Sequence, residues 1–380
     1  MAKTANIEVK NQDILKSLRE FFRSVLQLED ISAILVPLHL PMKNVVMPAL
    51  ITDPVHLDDA DPLAPVFPMN GAKLVSRLTR KPVGGKIAVV LRSCEIRAYV
   101  ELVKLKQGTT DETVILGTDC LGAYNNKDYL KFAGDDGKGS TVRFCESVLS
   151  GKGAAINGVD MATACKVCEY PVADGADISI GLLGMDTKKN LMAKALTLKG
   201  EELLNSLGLP QAGESGTRKA VVESLVAERK TCRDKMFAQT SEATGSLEKL
   251  TTYLANCINC YNCRVACPVC YCKECVFVTD VFNHEPSQYL QWARRKGVIK
   301  MPTDTIFYHI TRMAHISTAC VGCGQCSNAC PNDIPVMELF RTVARRTQKA
   351  FDYEAGKNPE QAPPLSEFRE QELSDVVGIN

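Results

Sequence analysis

Seven thiols stand in the run Cys257 to Cys275, CINCYNCRVACPVCYCKEC, and four more in CVGCGQCSNACP at 320–331. Cys257, Cys260, Cys263 and Cys267, followed by Pro268, fit the spacing C-x2-C-x2-C-x3-C-P. Cys320, Cys323, Cys326 and Cys330, followed by Pro331, fit it again. Such spacing suits a cubane 4Fe–4S cluster, because three thiolates two residues apart let one tight loop wrap a compact inorganic core. The fourth thiolate leaves on a helix and, in two-cluster ferredoxins, ligates the other cluster. The sequence therefore predicts one cluster on Cys257, Cys260, Cys263 and Cys330, and a second on Cys320, Cys323, Cys326 and Cys267. Gly322 and Gly324 suit a loop whose backbone must approach sulfur closely. Structural zinc is the competing reading and fits less well, since zinc ribbons use separated Cys-x2-Cys pairs.

Cys270, Cys272 and Cys275 are not needed by this pattern. With a fourth ligand such as Cys232 or Cys145 they would hold an additional iron–sulfur centre; a zinc site and redox-inert thiols are the alternatives. Four further thiols lie upstream. The strand-like run KIAVVLRSC ends at Cys94, ETVILGTDC ends at Cys120, and ADISIGLLG follows the pair Cys165 and Cys168. By spacing alone these are either a ligand set gathered from distant loops, a CKVC dithiol, or buried core cysteines.

The elements that must position these thiols follow from periodicity. Asp13 is placed to cap a helix with apolar Ile14, Leu15, Leu18, Phe22 and Val25. ISAILVP reads as a buried strand, and the Pro- and Gly-rich text from about 53 to 85 as a long functional loop. KIAVVLRSC continues into EIRAYVELVKLKQ, which has helical spacing. Strands alternating with helices predict an α/β domain, in which ligands gather at the carboxyl ends of strands. From about 190 to 256 the pattern reads as helical and charged. The last thirty or so residues are polar and Pro-containing and read as a tail ordered against a partner subunit.

Composition narrows the function classes. The 380 residues have a formal net charge of +1 and 6% aromatics, which gives neither a basic field nor stacking platforms for nucleic acid. The greasiest stretch, at 31–51, is broken by Pro37, Pro41, Lys43 and Pro48, so no membrane span is expected. The amino-terminal text carries no secretory pattern, and a cytoplasmic location is expected. There the 17 cysteines would stay reduced, which favours metal over disulfides.

Four stretches carry a family resemblance: LRSCEIRAYVELVKLKQ, LGTDCLGAY, ACKVCEYPVADGADISIGLLG and, more loosely, FPMNGAKLVSRL. Over roughly the first 200 residues the chain resembles the beta subunits of deazaflavin-reducing hydrogenases and related formate dehydrogenases. The resemblance implies a flavoprotein-like α/β domain that carries FAD and one 4Fe–4S cluster, with Cys94, Cys120, Cys165 and Cys168 as its ligands. Asn70, Gly71 and Lys73 lie in the segment that matches the family's flavin loop, although the surrounding residues depart from it. YHITRMAHISTACVGCGQCSNACPNDIP is similar to small subunits of heterodisulfide reductases, which implies docking to an assembly of that kind.

Other motifs carry less. GDDGKGS lacks the order of a phosphate loop, and GLLGMD is not a dinucleotide fingerprint. His284, His309 and His315 read as surface or packing histidines beside complete cysteine sets. Arg92, Arg97 and Lys166 flank the upstream thiols and either neutralise cluster charge or belong to a solvated face. Trp292 reads as a packing residue of an amphipathic helix.

The expected organisation is an α/β flavoprotein-like domain over 1–200, a helical connector over 201–250, a mostly helical two-cluster ferredoxin-like domain over 251–345 and a polar tail over 346–380. The expected function is electron transfer, through three 4Fe–4S clusters and FAD, between a soluble carrier and a partner hydrogenase, formate dehydrogenase or heterodisulfide-reductase-like subunit. Two alternatives are a self-contained flavin-dependent oxidoreductase of deazaflavin or NAD(P), and a flavin-free docking scaffold with a ferredoxin module.

Overall fold

The computed structural model describes residues 3–41, 45–81, 84–213, 216–272, 274–279, 285–296 and 304–367. Seven strands form one sheet: β1 (Thr4–Glu8), β2 (Ile31–His39), β3 (Val46–Ile51), β4 (Lys86–Arg92), β5 (Thr113–Thr118), β6 (Ile178–Gly181) and β7 (Asn190–Ala195). Their order is β1-β7-β6-β5-β4-β2-β3. The central strands β2, β4, β5 and β6 pair in parallel, while β3, β7 and β1 add antiparallel edges. A parallel centre must be covered on both faces, which explains why its strands read as unbroken apolar runs.

Alternation along β4 assigns those faces. Ala88 and Val90 point into a core with Leu18, Phe22 and Phe144, from the helices Ile14–Leu26 and Gly137–Leu149. Ile87, Val89 and Leu91 point the other way, into a core with Ile96 and Tyr99 of the helix Ser93–Lys104. That second core continues without a break into Leu254, Cys263, Cys267, Tyr308 and Phe340. The cysteine-rich segment is thus one of the two layers that cover the sheet.

Local signals mostly produce the elements they imply. Asp13 caps its helix by accepting from Lys16 N at 2.9 Å. The loop of 53–85 holds a short 3-10 turn, Pro54–Asp59, and a helix, Ala72–Leu78. The helical reading of 190–256 is corrected at its start, where Asn190–Ala195 is a strand. β7 pairs with both β6 and β1, and this long-range ladder overrides local propensity.

The segment read as a partner-bound tail also behaves differently over its described part. The helix Val336–Ala350 runs into it, and residues just beyond dock on the chain itself. Tyr353 Oη and Gly356 N both donate to Glu101 Oε1 at 2.6 Å, and Arg97 donates to Ala355 O at 2.7 Å. Gly356 has φ +70, and a Cβ there would stand 2.2 Å from Arg97 O, so only glycine permits the approach.

A long helix, Arg218–Ala243, is anchored at its start to the sheet. Arg218 binds buried Asp119 through both guanidinium nitrogens, at 2.5 and 2.9 Å. Asp119 also accepts from Leu182 N and Leu183 N, at 2.8 and 2.9 Å. Breaking one side of a buried pair of this kind costs about 3–5 kcal/mol. The pair therefore holds the carboxyl ends of β5 and β6 in register where the upstream thiols emerge.

Candidate metal centres

Cys94 and Cys120 leave neighbouring strands in step. Arg92 of β4 faces Thr118 of β5 across the ladder, and each thiol lies two residues further on. Cys94 stands in the first turn of the helix Ser93–Lys104, where peptide dipoles favour negative charge. Cys120 N donates to Pro171 O at 2.7 Å, which brings the loop carrying Cys165 and Cys168 over the same strand end. Cys165 lies in the single turn Thr163–Lys166.

Burial is the main force on these thiols and raises Cys94, Cys120 and Cys165, the last to about 12. Next in weight come the other thiols: Cys120 and Cys168 act on both Cys94 and Cys165. Arg92 and Arg229 work against this rise at Cys120. Four half-buried thiols that repel one another as thiolates need a cationic core between them to ionise together. The residues present fit a 4Fe–4S cluster on that ground.

In the cysteine-rich layer the thiols group across the two motifs. Besides burial, Cys257 is raised by Cys263, Cys330 and Cys260. Cys326 is raised by Cys267, Cys323 and Cys320. Cys267 feels Cys320, and Cys330 lies beside Cys257, so each motif's last cysteine stands with the other motif's triplet. Among the described residues no three His, Cys, Asp or Glu side chains are gathered tightly about one point, as ligands of a single ion would be.

The helix Thr305–Ile316 supplies polar contacts to Cys257 and Cys263. Arg312, 3% exposed, donates to Cys263 Sγ at 3.0 Å and to Cys263 O at 3.1 Å. Its guanidinium lies 4.7 Å from the Phe340 ring centre. Tyr308 Oη is 3.4 Å from Cys263 Sγ, and His309 Nε2 is 3.4 Å from Cys257 Sγ. His309 is buried, and burial with the nearby Arg312 charge lowers it to about 4, so it is neutral and able to donate one N–H to sulfur. Read as a packing histidine, it is also a sulfur contact; the helical i, i+1, i+4 placement of Tyr308, His309 and Arg312 was the available signal. His315 is exposed, and His284 lies outside the described residues.

The upstream and downstream thiols come together. Cys323 is among the groups acting on Cys94. Gly324, at φ +80, packs so closely on the Cys165 loop that a Cβ would stand 2.4 Å from Ala164 Cβ. Gln325 Nε2 and Asn328 Nδ2 both donate to Phe67 O, at 2.7 and 3.0 Å. Gly324→Ala is expected to cost about 1–2 kcal/mol for the left-handed backbone and about 1–3 kcal/mol more for overpacking. A melting curve of the anaerobic protein measures this; an unchanged midpoint would mean the two loops do not touch.

The remaining thiols separate. Cys145 is buried in the core beneath the sheet, and Cys232 is exposed on the long helix. Burial and Cys267 raise Cys270 to about 11, while Cys272 is exposed. Lys166 pairs with Asp160 at the surface, whereas Arg97 is buried and stacks 3.7 Å above the Tyr170 ring centre. Trp292 is half-buried on the helix Pro286–Lys296.

Asn70, Gly71 and Lys73 face the cysteine-rich layer. Asn70 Oδ1 accepts from Ala72 N at 3.0 Å, Gly71 N donates to Glu95 Oε1 at 2.7 Å, and Lys73 Nζ donates to Cys267 O at 3.1 Å. A Cβ at Gly71 would meet Glu95 Oε1 at 2.9 Å. Asn70 Nδ2 is buried and takes no part in these contacts. A cavity of about 1110 Å³ lies elsewhere, between Arg97, Tyr170, the long helix and the helix Val336–Ala350, with Cys320 in its wall.

Residues 253–334 match the family model of the 4Fe-4S dicluster domain. Over 348 residues the chain is 26% identical to the F420-dependent formate dehydrogenase subunit beta of Methanocaldococcus jannaschii, covering 84% of this chain and 85% of that protein. It is 29% identical over 308 residues to the F420-dependent formate dehydrogenase 1 subunit beta of Methanococcus maripaludis, covering 74% and 75%. The chain is similar to these beta subunits over most of its length. A chain of the F420-reducing NiFe hydrogenase complex from Methanosarcina barkeri aligns with a TM-score of 0.45 and 14% identity, over 65% of this chain and 94% of that one. The family model covers both C-terminal cysteine motifs, so this segment is an iron–sulfur dicluster domain joined to a mixed-sheet α/β domain. No described helix is long and apolar enough to cross a membrane.

Proposed function

We propose that the chain is the electron-transfer subunit of a multi-subunit oxidoreductase, carrying three 4Fe–4S clusters in sequence. The first is held by Cys94, Cys120, Cys165 and Cys168. The second is held by Cys267, Cys320, Cys323 and Cys326, and the third by Cys257, Cys260, Cys263 and Cys330. The carrying observation is the contact between the first two groups, where Gly324 packs on Ala164 and Cys323 acts on Cys94. The exchange of the fourth cysteines, Cys267 and Cys330, between the motifs then sets the second and third clusters side by side. A cluster supplies one-electron transfer at nearly constant geometry. The chain's part is to exclude water, hold the sulfurs and adjust their charge with Arg92, Arg97, Arg312 and Arg341.

The names of the similar proteins support formate dehydrogenase or a related hydrogenase as the class of complex, with a deazaflavin carrier as the soluble partner. On this reading substrate chemistry resides on a partner subunit. The organisation into an α/β part, a helical connector and a dicluster part follows the same division of labour, although one core runs from the sheet into the dicluster part.

Serine at Cys165 tests the reading. Anaerobic Cys165→Ser is expected to lose about one third of its iron, since one of three clusters goes, with the spectra of the two C-terminal clusters retained. Loss of all iron, or of none, would reject three separate centres.

A further inference from the structure

We propose that the apolar face around Cys260 docks a permanently bound subunit with a metal centre of its own at the matching surface, and that electrons enter or leave this chain there. Cys260 is exposed, whereas the other eleven thiols assigned above are half-buried or buried. It is the place where the assigned thiols open to the outside. The loop that carries it also exposes Ile258 and, on the short helix Asn262–Ala266, Val265.

The helix Thr305–Ile316 extends this face and has two sides. Tyr308, His309 and Arg312 turn inward to the sulfurs of Cys257 and Cys263. Phe307, Ile310 and Ala314, at i, i+3 and i+7, turn outward, with Phe307 55% and Ile310 45% exposed. The face continues onto the turn Val276–Val278, whose Phe277 ring stands 6.0 Å from Phe307 and 6.4 Å from Tyr261, the neighbour of Cys260. Val276 and Val278 are exposed on either side of that ring.

Chemistry selects the occupant. A soluble carrier that comes and goes is steered by charge, whereas this face presents Ile, Val and Phe side chains. Asp304, at the start of the helix, is taken up by Asn259 Nδ2 at 2.7 Å. Exposed apolar patches of this kind are covered by another chain, and permanent assemblies have the more apolar interfaces. A second copy of this chain would offer the electron no new destination, and a subunit with its own metal centre does. One electron crosses at a time, and the partner's metal centre is reduced or oxidised in exchange. This surface rests on the electron-transfer reading and names the side of the chain on which the relay opens.

The test uses the full chain, purified anaerobically in its native complex. The probe is the co-purifying subunit that holds metal beyond this chain's own iron, and its dissociation constant from the iron-replete chain is measured. Ile258→Glu with Ile310→Glu is expected to weaken binding on the order of tenfold or more, with iron content unchanged. Wild-type binding is expected to hold in raised salt. Val55→Glu with Leu198→Glu, at exposed apolar residues of the α/β part, is expected to leave it unchanged. Where the face variant fails to hold iron, a photo-cross-linking side chain in place of Val278 decides. It is expected to attach to the metal-bearing subunit; attachment to a second copy of this chain, or to nothing, would overturn the surface. Full binding by the iron-replete face variant, or wild-type binding that fades with salt, would also overturn it and leave the electron-transfer reading intact. A chain that binds the subunit through this face but holds no clusters would do the reverse.

Discussion

Serine at Cys267 is expected to delete the cluster built on Cys320, Cys323 and Cys326 of the downstream motif, not the cluster of its own motif. Cys267 lies with Cys320, Cys323 and Cys326, and Cys330 lies with Cys257. The double variant Cys267→Ser with Cys323→Ser then removes one cluster, and its iron matches that of either single variant. Cys267→Ser with Cys260→Ser removes two. If the motifs keep their own fourth cysteine, the two doubles exchange outcomes, so iron content with low-temperature paramagnetic spectra of the reduced proteins decides the question. The effect is all-or-none because a cubane short of one thiolate is open to solvent and to loss of iron.

The second large effect is expected at Arg312, whose buried charge reaches Cys263 Sγ at 3.0 Å. A hydrogen bond from a cation stabilises the reduced, more negative cluster more than the oxidised one and so raises its potential. A change of about 1.4 kcal/mol in that difference corresponds to about 59 mV for one electron. Arg312→Met is expected to lower the midpoint of the cluster on Cys257, Cys260, Cys263 and Cys330 by that order. A smaller shift is expected at the neighbouring cluster, since Arg312 also acts on Cys267 and Cys320. Redox titration followed by paramagnetic resonance measures both. If Arg312→Met fails to fill the site, Tyr308→Phe removes a neutral contact to the same sulfur and is expected to move the same midpoint down by less. An unchanged midpoint in the filled proteins would reduce these residues to packing.

Much of the site was legible because ligand spacing is a local property. The two C-x2-C-x2-C-x3-C-P blocks and the strand-end positions of Cys94 and Cys120 needed no more than the text and its periodicity. β2, β4, β5 and β6 were legible for the same reason, being apolar runs that end where side chains emerge. β1 and β7 were not. They pair with each other across most of the amino-terminal domain, Ile7 opposite Leu191, and short edge strands have little signal apart from their partners.

By itself, the order of residues determined that iron–sulfur chemistry takes place here, since thiol spacing is set by how a chain wraps a cubane. Only the tertiary structure decided which thiols stand near one another, because that depends on contacts between segments far apart in the chain. Gly324 on Ala164 brings the Cys165 and Cys323 loops together, and the helix carrying Tyr308, His309 and Arg312 reaches the sulfurs of Cys257 and Cys263. The same packing sets Lys73 against the carbonyl of Cys267 and leaves the cavity beside Cys320. Free volume and long-range proximity belong to the packed core as a whole, and no stretch of sequence encodes either alone.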